Sequence, residues 1–475
     1  MNVSNFVGRE LELASLERHL QAVRSGGARM VVIRGRRQVG KSRLITEFVR
    51  RADVPQLFVT ASLQATSRDD LELVAQEVAR SSTLPGRDLL VANPPATWDG
   101  ALRLIAAALP RDGPAIVVLD EFPWFVERDM GLEGVLQVTW DRVFEDKQVL
   151  FILVGSDAAM MEALSTYGRP LFGRTRELAV RPFHPLDTAS MLSSTRASDV
   201  LDFQLVTGGF PRLVKDAAQF ESTNAFVTAQ LADENSSLCV NAGRVLEAEL
   251  PSGSQAGPVL RAIGSGERTF RNIAKASGLG DQSLQRTLSR LVDKHLVARD
   301  LPVSVPPAAH PRYRVDDSYL RFWLALVAPG LAEITRGRAD LAVDRFKRSW
   351  PSWRGRAIEP LVRDALARLA LTDMRLGAAG SVAGWWPRNN DPEVDLVGVD
   401  QWPLPRSVCF VGSIKWRDEA PFTVADARAL EAAAAHVPGV LPATPRVAVA
   451  RTKIVATDLI GFTAEDLLAA WQNQV

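Results

Sequence analysis

Short apolar runs rich in β-branched residues alternate with longer stretches of helical period through the first third of the chain. The runs fall at residues 30–34, 57–60, 116–119 and 150–154, with a less regular one at 177–180. They are continuously apolar rather than alternating, the pattern of strands covered on both faces. Strands separated by helical segments predict an α/β fold built on a parallel sheet. From His184 to Ala248 the period is helical, interrupted at Thr207-Gly208-Gly209-Phe210-Pro211. Pro251-Ser252-Gly253-Ser254 has the composition of a hinge or linker.

Beyond that linker, Val259, Leu260 and Ile263 open one helix and Phe270, Ile273 and Ala274 a second. Gly278-Leu279-Gly280 makes a tight turn, and a third helix carries Leu284, Leu288 and Leu291 on one face. Its other face shows Gln282, Gln285, Arg286, Ser289 and Arg290. Strand-like pieces at 296–299 and 313–315 flank a Pro-rich tip within 301–315, completing the plan of a helix-turn-helix with a wing. Residues 318–350 predict a helical connector. A last α/β segment begins near Trp353, with strands around 393–399 and 409–415, an Ala-rich helix at 425–435 and a closing helix near 465–474.

Bulk composition narrows the functional classes. A formal charge of +1 supplies no global field for nucleic acid or an anionic membrane, so either partner needs a local patch. One such patch is residues 257–300, with eight basic against four acidic side chains. Two cysteines far apart, Cys239 and Cys409, argue against a disulfide scaffold and a cysteine zinc site. The five histidines (His19, His184, His295, His310, His436) have no metal-ligand spacing. Residues 1–10 contain no apolar signal core and no apolar run reaches a membrane span, so a soluble, cytoplasmic protein without membrane contact is expected.

The strongest chemical signal is Gly35-Arg36-Arg37-Gln38-Val39-Gly40-Lys41-Ser42, followed by Arg43. This G-x-x-x-x-G-K-S sequence sits between a predicted strand and a predicted helix, the context a phosphate-cradling P-loop requires. Backbone N–H groups and the helix dipole would hold the β-phosphate of ATP. Lys41 would reach the β/γ oxygens, and Ser42 would hold Mg²⁺. The strand at 115–119 ends in Asp120-Glu121. There Asp120 would support Mg²⁺ and Glu121 would activate water, although capping of the next helix explains the pair equally well when taken alone. The next strand ends in Gly155-Ser156-Asp157, where Ser156 is a candidate γ-phosphate sensor or a plain helix cap.

Phe6-Val7-Gly8-Arg9-Glu10, the P-loop, Leu119-Asp120-Glu121-Phe122, Gly155-Ser156, Leu171-Phe172-Gly173-Arg174 and Gly208-Gly209-Phe210-Pro211 occur in that order. Together they resemble the bacterial and archaeal P-loop ATPases of the AAA+-related STAND group. The resemblance implies that Gly8, Arg9 and Glu10 lie on the base side of the nucleotide. It also implies that Pro211 belongs to a lid motif touching the nucleotide, and that Arg174 is an arginine finger or sensor. The segment from Trp353 resembles the PD-(D/E)xK, restriction-endonuclease-like domain fused to such ATPases, through Gly355-x-x-x-Glu359, Asp395 and Lys415. Ser413 stands where that chemistry places a second carboxylate, so a degenerate site is expected unless Glu393, Asp426 or Glu431 substitutes.

The expected architecture is therefore α/β, in five parts. These are a P-loop AAA+-like core at 1–183, a helical lid at 184–250, a winged helix at 251–317, a helical connector at 318–352 and a nuclease-like domain at 353–475. Its expected activity is Mg²⁺-dependent ATP hydrolysis driving a conformational switch or motor on double-stranded DNA. The alternative is a STAND-type switch for a protein partner, and an ATP-controlled nuclease ranks last. Either switch is compatible with a nucleotide-dependent homo-oligomer.

Overall fold

The computed structural model describes residues 6–87, 95–192, 196–250, 254–305 and 311–472. Residues 1–5, His310 with the Pro-rich tip at 306–310, Pro251–Gly253 of the expected linker and residues 473–475, which include the last two positions of the expected closing helix, lie outside it. The chain forms two compact units, Met1–Pro182 and Phe183–Val475.

In the first unit five strands form one parallel sheet: β1 (Arg29–Arg34), β2 (Gln56–Thr60), β3 (Ala115–Asp120), β4 (Val149–Gly155) and β5 (Thr175–Ala179). Their order is β2-β3-β4-β1-β5. All residues of β3 and β4 are buried, which is why both read as unbroken apolar runs. Below β3 and β4, Trp98, Phe125, Trp140, Phe144 and Phe151 fill one side of the core. The strand expected at 177–180 starts at Thr175, because β5 pairs with β1 from Met30↔Thr175 onward.

The second unit begins with helices, of which Ala197–Thr207 is buried at every position. A helix enclosed on all sides belongs to a core rather than a surface. Its Ala197, Leu201 and Leu205 share a cluster with Val362, Phe410, Trp416 and Trp471 of the last α/β segment. Residues drawn from sequence as a separate lid therefore pack into the same core as the C-terminal sheet. Asp202, in the middle of this helix, accepts from Arg354 at 2.9 Å, Arg451 at 3.0 Å and the Trp416 indole at 3.1 Å. Both Asp202 and Arg354 are buried.

Three helices, Ala256–Gly264, Phe270–Ser277 and Asp281–Asp293, precede an antiparallel ribbon of β6 (Val297–Asp300) and β7 (Arg312–Val315). The turn between the second and third helices uses Gly278 in the left-handed region, φ 71°. Residues 301–304 do not join the ribbon. Instead Val303 donates to the Gly384 carbonyl at 3.0 Å and packs with Trp385 and Val394.

The C-terminal sheet is mixed, with strands β8 (Ser381–Trp385), β9 (Val394–Val399), β10 (Val408–Lys415), β11 (Arg446–Ala450) and β12 (Ile460–Phe462). Strands β8, β9 and β10 form an antiparallel meander, while β11 and β12 add in parallel. The helix Ala339–Ala357 runs through the expected boundary at 352–353. Gly355 and Glu359 do not share one helix: Gly355 lies in the last turn of this one, which ends at Ala357, and Glu359 starts the next, Glu359–Leu369. Pro360 is the reason, since it has no N–H for the Arg356 carbonyl four residues back. The closing helix spans Ala464–Ala469, shorter than its apolar pattern suggested. Among the described residues no helix is long and apolar enough to cross a membrane.

Asp202→Ala would leave buried Arg354 paired only with exposed Asp418, and half-buried Arg451 with Asp199 and Asp418. A loss of about 3 kcal/mol in the stability of the second unit is expected, the low end for breaking a buried ion pair, because these carboxylates retain part of the pairing. Urea unfolding measures it, and a loss below about 1 kcal/mol, the range of exposed pairs, would show that the network is solvated.

Candidate functional site

Because β1, β3 and β4 are parallel neighbours, their C-terminal ends open on one edge of the sheet. The P-loop leaves β1 there and turns into the helix Lys41–Ala52. Gln38 and Gly40 both take left-handed backbone conformations, φ 68° and 91°. Gly35 is required for a different reason: a Cβ there would collide with the Val180 carbonyl, just past β5. Val39 is fully buried and anchors the loop from beneath.

Arg9 holds this loop from the side. Its guanidinium donates to the Val39 carbonyl at 2.7 Å and the Arg181 carbonyl at 2.6 Å, and pairs with Glu12 at 2.9 Å. Gly8 and Arg9 both have positive φ, 69° and 67°, which turns the chain into the first helix, beginning at Glu10. The expected base-side residue is thus engaged as a brace between the P-loop and the segment after β5. Nothing in its spacing reveals this, because the partners are two backbone carbonyls far away in sequence.

Lys41 is buried, and its ammonium donates to the carbonyls of Gly35 at 2.7 Å and Arg36 at 3.0 Å. Its charge is thereby held inside the curl of the loop. The Arg37 guanidinium lies 5.9 Å from the centre of the Trp124 ring, linking the loop to the helix after β3.

Asp120 closes β3 with its carboxylate buried, accepting from the Glu121 N–H at 3.0 Å, and the Ser42 hydroxyl lies close enough to favour its charged form. Burial pushes its carboxyl above the usual carboxylate range; Ser42 and Lys41 pull the other way, and the Glu121 charge pushes it further up. A hydroxyl and a carboxylate meeting beside the P-loop are the hard-oxygen donors that fit Mg²⁺. Among the described residues no group of three or more His, Cys, Asp or Glu is placed to hold a metal without such help.

Glu121 has a left-handed backbone, φ 54° and ψ 43°, an uncommon conformation for a side chain of this kind. It stands at the cap position of the helix Phe122–Arg128 but makes no side-chain capping bond. Its carboxylate instead accepts from the Ser156 hydroxyl at 2.8 Å. Ser156 is not a cap either, since Asp157 caps the helix Ala158–Ala163 by accepting from the Met160 N–H at 3.0 Å. Neither side chain caps its helix, and the tips of β3 and β4 are joined by the Glu121–Ser156 hydrogen bond.

Arg174 lies at the opposite edge. It precedes Thr175, which pairs with Met30 at the start of β1, whereas the P-loop follows the end of β1. Four residue steps separate the two ends, about 13 Å of strand. The guanidinium makes a two-pronged pair with Asp141, at 2.7 Å on each side. A sensor role toward the nucleotide of its own subunit is corrected by this placement. A finger acting on a second copy is the remaining expectation. Pro211 starts a helix in the second unit after the Gly208-Gly209 turn. A Cβ at Gly209 would collide with the Phe183 carbonyl, so the turn is packed tightly.

In the C-terminal sheet, Ser413 donates to Asp395 Oδ2 at 2.9 Å, and the Ile414 N–H donates to the same oxygen at 2.8 Å. Glu359 pairs with Arg363 at 3.0 Å, and burial raises its carboxyl. The carboxylates considered as substitutes are engaged elsewhere. Glu393 pairs with Arg312 at 2.5 Å, Asp426 with Arg417 at 2.8 Å and Glu431 with Arg446 at 3.0 Å. Lys415 is on β10, two residues beyond Ser413 and so on the same face.

A P-loop after β1 of a five-stranded parallel sheet, with an acidic pair at the end of β3, one strand removed, defines a nucleotide-binding P-loop ATPase core. Residues 5–144 match the family model described as the AAA ATPase domain, so the first unit carries an AAA-type ATP-binding core. Residues 323–430 match a second family model, described as archaea bacterial proteins of unknown function. An uncharacterized protein of Methanocaldococcus jannaschii is 21% identical over 417 residues, covering 87% of this chain and 88% of that protein. Among solved structures, the Walker-type ATPase of Pyrococcus abyssi aligns with a TM-score of 0.52 at 17% identity, over 68% of this chain and 97% of that one. The ORC2 protein of Aeropyrum pernix aligns with a TM-score of 0.44 at 17% identity, over 72% of this chain and 96% of that one.

Asp120→Asn tests the electrostatics of the site. A carboxyl whose folded pKa is raised makes the fold less stable above that pKa, and stability returns as pH falls through it. Removing the charge is therefore expected to raise the melting temperature of the nucleotide-free protein at pH 7 by about 2 °C or more. Differential scanning calorimetry decides, and a lowered melting temperature would show that Ser42 and Lys41 outweigh burial.

Proposed function

We propose that the protein is a Mg²⁺-dependent ATPase whose first unit hydrolyses ATP at the edge formed by the ends of β1, β3 and β4. The observation that carries this reading is the meeting at that edge of two hydroxyl–carboxylate pairs, Ser42 beside Asp120 and Ser156 hydrogen-bonded to Glu121. They gather all four side chains around one end of the P-loop. ATP lies along the loop, and Lys41 exchanges the carbonyls of Gly35 and Arg36 for β- and γ-phosphate oxygens. Ser42 and Asp120 would hold Mg²⁺, which neutralises phosphate charge when bound. Glu121 accepts the proton of the attacking water. Ser156, already hydrogen-bonded to Glu121, relays the presence of the γ-phosphate to that carboxylate.

Arg174 completes the site of a neighbouring copy in this reading, and Pro211 and the turn before it respond to the nucleotide. Lys41→Ala is expected to abolish tight ATP binding, while Glu121→Gln binds ATP but hydrolyses it about tenfold or more slowly. Turnover per subunit is expected to rise with protein concentration, and to lose that rise in Arg174→Ala. Phosphate-release assays across an assembly range check all three. Equal turnover in wild type and Glu121→Gln would remove that residue from the mechanism.

The second unit is the output, and double-stranded DNA is the favoured partner over a protein. The succession of three helices and a two-stranded ribbon supports a winged-helix reading, as does the exposure of Arg286 and Arg290 one turn apart on the third helix. The β9–β10 face, with Ser413 in place of a carboxylate, serves as scaffold rather than nuclease. Changing Arg286 and Arg290 to Ala is expected to weaken duplex binding and flatten its salt dependence by about two units. The same duplex should be recovered uncut after incubation with Mg²⁺. Fluorescence anisotropy at several salt concentrations, followed by a gel, gives both results. Unchanged binding by the double variant would favour a protein partner for this face.

A further inference from the structure

A cleft of about 470 Å³ lies within the second unit, between the end of the helix Ala256–Gly264, strand β7 and the helix Ala339–Ala357. Small-molecule sites typically span about 300–1,000 Å³. Five arginines line it, and two of them are neutralised: Arg268 pairs with Glu393, and Arg314 with Asp300 and Asp316. The carboxylate of Glu359, also in the lining, pairs with Arg363. Arg321, Arg348 and Arg356 remain, and among the described residues no carboxylate forms an ion pair with any of them.

Arg321 is fixed in place by the helix break described above. The Arg356 carbonyl, freed by Pro360, accepts from Arg321 at 3.2 Å, and the Ala357 carbonyl accepts at 3.5 Å. Burial pushes its pKa down to about 10, which still leaves it cationic at neutral pH. Arg348 and Arg356 are exposed at the mouth. Trp353 also lines the cleft, held by stacking on Trp350 at 5.6 Å and edge contact with Phe322 at 5.4 Å. Three guanidinium groups without an ion-pair partner, only Arg321 of them partly offset by the nearby charges of Glu359 and Asp300, select phosphate, and an aromatic ring among them selects a flat base.

We propose that this cleft binds a nucleotide unit, its phosphate against Arg321, Arg348 and Arg356 and its base against Trp353. The unit comes either from a free mononucleotide or from a single nucleic-acid strand, which present the same two groups. The site is separate from the P-loop and from the exposed face of the helix Asp281–Asp293.

The test uses the full chain carrying Lys41→Ala, so that the P-loop contributes little. AMP, ribose 5-phosphate and a ten-residue thymidine oligonucleotide are titrated by calorimetry. AMP is expected to bind at least about fivefold more tightly than ribose 5-phosphate, the low end of base stacking on an aromatic ring. Changing exposed Arg348 and Arg356 together to Ala should weaken AMP and the oligonucleotide alike by tenfold or more, while Arg286→Ala with Arg290→Ala leaves AMP binding unchanged. Tighter binding of the oligonucleotide than of AMP, with a log–log salt slope near about −1.4 for two phosphate contacts, identifies a strand as the source. Tighter binding of AMP identifies a free nucleotide. Failure of both ligands to bind, binding insensitive to the Arg348/Arg356 change, or equal affinity for AMP and ribose 5-phosphate would overturn the proposal.

Discussion

The parallel alignment of β1 with β4 on one side and β5 on the other is the constraint from which the nucleotide site follows. Parallel strands send every C-terminal end to the same edge, so loops far apart in sequence must meet there. The P-loop, Asp120-Glu121 and Ser156 are brought together by this geometry alone, and Arg174 is sent to the other edge by the same rule. Arg9 then fixes what strand pairing cannot, the position of a glycine-rich loop with little side-chain packing of its own. Its two backbone contacts tie the loop to the first helix and to the segment after β5.

Much of this was legible from sequence because it is carried by local pattern. Unbroken apolar runs mark β3 and β4, and the P-loop is defined by glycine and lysine at fixed spacing between a strand and a helix. The Asp-Glu pair was legible only as an ambiguity, and the structure shows that Glu121 bonds Ser156 rather than capping the next helix. Long-range partners left no such trace. Arg9 bonds to backbone carbonyls, which have no sequence signature. The shared core of the second unit was also hidden, although one cue was present: Asp202 in the middle of an apolar helix. A charge at such a position needs a buried partner, and Arg354 and Arg451 supply it.

The second unit joins elements that the sequence presents as successive modules. Ala197–Thr207 packs with the C-terminal sheet, Val303 extends the three-helix segment onto β8, and Glu393 receives two arginines from around the ribbon. Motion of one part within this unit must therefore disturb salt bridges and apolar packing in another. Such coupling suits an output body that responds as a whole, rather than a chain of independently hinged domains.

The left-handed backbone at Glu121 has a consequence for how this protein would respond to selection for robustness. Glycine and asparagine occupy that conformation at lower cost than glutamate. A search for thermally hardier variants would therefore be drawn to this position, and each success there would remove the carboxylate facing Ser156. If Glu121 has the role proposed for it, stability and turnover compete at one residue, and a hardened but inactive protein is the expected product of optimisation blind to chemistry.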